Sequence, residues 1–72
     1  MPLLFAPANT NLQIAKITGN DNVQKRLNAL GLVTGASLVI LEQTSSGLII
    51  RINDSRLALD KDVASKVVVE IY

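Results

Sequence analysis

Side chains that could do chemistry are few in this sequence. It contains no histidine and no cysteine. General acid–base and nucleophilic catalysis need a tunable acid, base or nucleophile. The serines at 37, 45, 46, 55 and 65 stand without a local activating context, and their setting suits turns and solvated hydroxyls. Asp60 and Asp62 lie two apart. They could offer two carboxylates to a hard cation, but such an ion takes about six oxygens. Asp60 is better explained as a helix start. Gly31 and Gly35 are separated by Leu-Val-Thr, with no lysine of the kind that follows a phosphate-binding loop. No catalytic residue, metal ligand or cofactor site is assigned, and the chain reads as no enzyme.

Charge points the same way. Seven basic and six acidic residues leave a formal charge of +1. Nucleic-acid binders usually show a basic stripe or an aromatic stacking platform. Here Lys25, Arg26, Arg51 and Arg56 are diluted by Asp21, Asp54, Asp60 and Asp62, and Phe5 and Tyr72 are the only aromatics. No nucleic-acid partner is expected. No apolar run approaches the ~20 residues of a membrane span, and the start, "MPLLFAPA", lacks a basic segment of the secretory type. The simplest compartment is the cytoplasm.

With reactive groups scarce, the elements themselves carry the information. The length, 72 residues, suits one small domain over 1–72. Without disulfides, its apolar fraction of 49% must supply the stability. The pattern predicts five short strands: 12–18 with a kink in its alternation, 37–43, 48–53, 56–59 and 66–72. Thr44–Gly47 reads as a hairpin loop, with Gly47 closing it. Leu38 and Ile40, Leu48, Ile50 and Ile52, and Val67, Val69 and Ile71 form apolar rows that would fill a small barrel. Val39, Leu41, Ile49 and Val68 remain on the opposite rows. Either the helix and the N-terminal segment cover them, or they mark a partner or self-association surface.

One helix interrupts the strands. Asp21 is read as its N-cap, with Gln24 completing a capping box. Val23, Leu27 and Leu30 make one apolar face by which it docks on the core. Gly31 is read as the stop, where a residue without Cβ turns left-handed. Leu32 then pairs with Leu27 across the cap, and Gly35 marks the next turn. Residues 60–65 read as one helical or 3₁₀ turn, with Val63 and Ala64 facing inward.

Two segments carry a family resemblance. "KRLNALGLVTGASLVIL" contains Arg26, Leu27, Leu30, Gly31, Leu32, Gly35, Leu38 and Ile40. "GLIIRINDSRLALDKDVASKVVV" contains Gly47, Ile50, Ile52, Arg56, Leu57, Ala58, Leu59, Ala64, Val67 and Val69. Their order and spacing resemble the FeoA family, ferrous iron transport protein A, over nearly the whole chain from Leu12. Asn11, Asp54 and Asp60 depart from its pattern, the last by changing the charge of one surface. The resemblance implies a mainly β, five-stranded SH3-like barrel with one short α-helix after the first strand. It implies a non-enzymatic cytoplasmic accessory that docks on the cytosolic part of FeoB, the membrane GTPase transporter of ferrous iron. A second reading is a free-standing interaction domain similar to the C-terminal domain of diphtheria-toxin-repressor-like metalloregulators. For the docking surface, the helix end suggests Arg26, Leu32 and Val33, with Arg56 nearby. Self-association through an exposed sheet edge is a further expectation.

Overall fold

Alternating aliphatic rows dictate the sheet. A computed structural model describes every residue from Met1 to Tyr72. Its strands are β1 (Leu12–Ile17), β2 (Ser37–Gln43), β3 (Gly47–Ile52), β4 (Ser55–Asp60) and β5 (Val67–Ile71). Two helices, α1 (Asp21–Ala29) and α2 (Lys61–Lys66), and an N-terminal 3₁₀ turn at Leu3–Phe5 complete the chain. The five strands form one antiparallel sheet in the order β4-β3-β2-β1-β5. No helix is long and apolar enough to cross a membrane.

The inward rows follow the side-chain alternation of a pleated strand. Leu38 and Ile40, Leu48, Ile50 and Ile52, and Val67 and Val69 are all buried. Ile71 departs from its row. It lies beside Leu12 at the far end of the outermost strand, where nothing covers it, and is 54% exposed. The leftover aliphatics Val39, Leu41, Ile49 and Val68 are half-buried. The N-terminal segment contributes to that cover: Pro2 bridges to Val68, and the Asn9 amide donates to the Ile40 carbonyl.

Two bulges bend the sheet. One shifts the β1–β5 register between Ile14 and Lys16, the irregularity visible as broken alternation in the first strand. The other lies between Ile40 and Glu42 in β2. The curl stops short of closure, so the expected barrel is open between β4 and β5. The reason lies in the connection. β4 runs without a loop into α2, and α2 without a loop into β5, so a helix occupies the place where the two edges would pair. The expected single α-helix is therefore two, because residues 61–66 complete a full α-helical segment capped by Asp60.

The start of β3 also differs from the expected loop. Gly47 is buried and is the first residue of the strand, opposite Asp60. A Cβ built there would collide with the Leu59 carbonyl oxygen, so only glycine permits this approach of two backbones.

Candidate functional site

Helix α1 begins one residue earlier in its capping than the sequence suggested. Asn20, not Asp21, is the N-cap: its Oδ1 accepts from the Val23 amide at 3.0 Å. Asparagine caps as well as aspartate, and its extended backbone (φ −78°, ψ 176°) suits the position. Asp21 falls to the first helical residue, where its charge still faces the positive end of the helix dipole. Gln24 reaches back to the Gly19 carbonyl at 3.1 Å, and not to the Asp21 amide.

The other end turns sharply. Gly31 has φ +94°. Its amide donates to the Asn28 carbonyl, and the Leu32 amide donates to the Leu27 carbonyl, both at 3.0 Å. These are the two bonds of a Schellman stop. Leu27 and Leu32 are both buried in the main core. Gly35, φ +92°, donates its amide to the Ile14 carbonyl and receives the Gln13 side chain on its own carbonyl, tying the following loop to β1.

This geometry sorts the expected docking residues. Leu32 is 0% exposed and cannot contact a partner without unfolding the cap. Val33 is 42% exposed, and Arg26 is exposed without an ion pair. Arg56 is exposed on β4, just past the turn at Asn53. That turn adjoins the helix end, with Asn53 Nδ2 3.7 Å from where a Gly31 Cβ would sit.

Sequence reasoning missed Leu30. Its spacing from Val23 and Leu27 places it on the apolar face, yet it is 48% exposed. Leu30 is the C-cap, where the helix is already ending, and it borders open space. Between α1 and the β4–α2 corner runs an open groove of about 490 Å³. Val23, Leu27 and Leu30 line one wall, and Ala58, Leu59 and Val63 the other. Arg26 lies on the helix side, and Asp60, Asp62 and Lys66 on the opposite side. Lys66 and Asp62 pair at 3.2 Å within α2, an exposed i,i+4 bridge worth about 0.3–0.5 kcal/mol.

Chemically, the groove offers apolar side chains between charged rims. No polar or charged side chain is buried anywhere in the structure, so no acid or base is held in a desolvated setting where catalysis would tune it. Asp60 is occupied as a cap, its Oδ1 accepting from the Val63 amide at 2.8 Å.

Comparison with known proteins gives these features a family. Among curated protein sequences, none matches the chain. A crystal structure of an iron uptake regulatory protein, FeoA, is 30% identical, with a TM-score of 0.88 over 96% of this chain and 93% of that one. The FeoA of Stenotrophomonas maltophilia, crystallised with zinc and described as a prokaryotic SH3 domain protein, is 26% identical, with a TM-score of 0.82 over 97% of this chain and 89% of its own. The sheet with its helices is therefore SH3-like, although open at one seam. ScaR with bound Zn²⁺ is 18% identical and shares the fold, with a TM-score of 0.90 over all of this chain and 37% of its own. The model of the FeoA domain matches residues 1–71, and the chain belongs to the FeoA family.

Proposed function

We propose that this protein is a cytoplasmic, non-catalytic accessory of ferrous iron uptake that docks on the cytosolic part of a FeoB-type GTPase transporter. Family membership supports the iron-transport role. One observation supports the docking face: Leu30 and Val33 are 48% and 42% exposed at the end of a lightly anchored helix, beside the unpaired Arg26. Arginine is enriched among the residues that carry binding energy at protein contacts, and the exposed apolar area of Leu30 and Val33 beside it would be covered by a partner. Leu30 replaces the buried Leu32 in this surface, and Arg56 flanks it beyond the Asn53 turn.

The test is direct binding of the purified chain to the transporter's cytosolic region. Val33→Asp and Arg26→Glu should each weaken binding by roughly tenfold or more, with the thermal midpoint unchanged. Wild-type protein that fails to bind, or variants that bind as the wild type does, would refute the proposal.

The fold shared with ScaR supports a second reading, an interaction domain that acts in trans on a metalloregulator. Binding to such a regulator with no affinity for the transporter would favour it.

A further inference from the structure

We infer that Arg51 and Arg56 form a carboxylate-binding pair on the outer face of the sheet, and that the pair receives an acidic, extended stretch of the docking partner. Arg56 thereby changes from a flanking residue of the proposed docking to half of its electrostatic centre, and the identity of the partner rests on that reading.

Strand pairing brings the two arginines together. Arg51 in β3 stands opposite Arg56 in β4. The two-residue loop Asn53–Asp54 closes on the pair Ile52 and Ser55. Such a loop closes on a hydrogen-bonded pair, and bonded and non-bonded pairs then alternate. Arg51 and Arg56 are therefore a non-bonded pair, the kind whose Cα atoms lie roughly 4.5 Å apart and whose side chains come closest. Both are exposed, on the face away from the core.

No other cross-strand pair in the sheet sets charge against charge, and here the charges are alike. Like charges directly opposite each other destabilise a sheet. The chain has six acidic residues, and none of them neutralises the pair. Its one ion pair joins Lys66 to Asp62 in α2. On β2 the neighbour of Arg51 is Val39, and the acid of that strand, Glu42, stands opposite Ile49 instead. Two opposed guanidiniums without an internal partner are both free for an anion from outside.

The surroundings select the anion. Guanidinium forks match carboxylate and phosphate geometry alike. β3 is paired on both sides, with β2 and with β4, so no nest of free amides there could cradle a phosphate. The adjoining residues are apolar: Val39 lies beside Arg51, and two residues along the same face Ile49 stands opposite Ala58. That is unlike the basic stripe that tracks a nucleic-acid backbone. Ile49 and Ala58 also line an open groove of about 470 Å³. An extended chain turns every second side chain to one face. One acidic residue can thus lie on the arginines while an apolar residue two positions away covers Ile49 and Ala58.

Binding of the full chain to the transporter's cytosolic region, repeated from about 50 mM to about 300 mM salt, tests this. Wild-type affinity should fall as salt rises. Arg51→Glu should weaken binding roughly tenfold or more. The same change should raise the thermal midpoint of the free chain, because an opposed pair becomes an attractive one. An arginine with a merely structural role would lose stability on reversal. Arg51→Lys keeps the charge without the fork and should weaken binding less. Hexaglutamate, added to the free chain as a probe, should shift the amide signals of Ile49–Arg51 and Arg56–Ala58, and Arg51→Glu should abolish those shifts. Inorganic phosphate should shift them much less. Wild-type protein that fails to bind the transporter region would refute the docking alone, and hexaglutamate then decides the pair. Transporter binding that Arg51→Glu leaves intact, no response to hexaglutamate, or an equal response to phosphate would overturn the inference.

Discussion

Helix α1 has nine residues and α2 has six, yet the shorter helix is the better anchored. Asp60 is at once the last residue of β4 and the N-cap of α2, and Val67 is both its C-cap and the first residue of β5. The chain has no slack at either end. Ala64 is 0% exposed, and α2 packs against β3, β4, β5 and the N-terminal turn. Helix α1 instead hangs between two connections, residues 18–20 and 30–36, and buries one residue, Leu27. Helices this short do not persist alone in water, so α1 depends on that leucine and on its two caps. The lesson is that anchoring follows from how a helix is joined to its neighbours, more than from its length. Few buried contacts also mean low local stability, which suits the proposed docking.

The largest test of this contrast lies at the α2 corner. Gly47→Ala would drive a methyl group into the Leu59 backbone, beside the residue that caps α2. We expect a loss of roughly 3 kcal/mol or more, read as a lowered denaturant midpoint for the whole chain. A tolerated alanine would mean that this corner has freedom its connections deny.

Leu27→Ala should cost about 2–4 kcal/mol if α1 unfolds with everything else. The difference in anchoring predicts a narrower outcome. Amide exchange should rise across Asp21–Ala29 well before it rises in β2, β3 and α2. Uniform loss of protection would show that the two helices belong to one cooperative unit.

The smallest effects separate the caps. Asn20→Ala and Asp60→Ala each remove a side-chain acceptor, at ~1 kcal/mol for a typical cap. Asp60→Ala should lower the global thermal midpoint. Asn20→Ala should mostly fray α1 and move that midpoint less. Equal shifts would erase the distinction.

Much of the fold was legible because strand side chains alternate. The rows in β2 and β3, the first residues of β5 and the bulge in β1 all follow from local pattern. The N-terminal turn was not legible, because Leu3 and Ala6 are buried only by elements far along the chain. At the candidate site, Val33 and Arg26 were visible as exposed groups in a loop and on a helix. Leu30 was not, since periodicity assigns a residue to a face and cannot say whether anything lies opposite.

By itself the sequence determined the chemistry. Absent histidine and cysteine, balanced charge and abundant aliphatics leave packing as the main resource, and period-two rows lead to a sheet. Tertiary structure alone decided where that packing runs out. It left the seam between β4 and β5 open, left Leu30 exposed at the end of α1 and bridged the N-terminal segment to β5. These outcomes depend on distances between segments far apart in the chain, which no local pattern encodes.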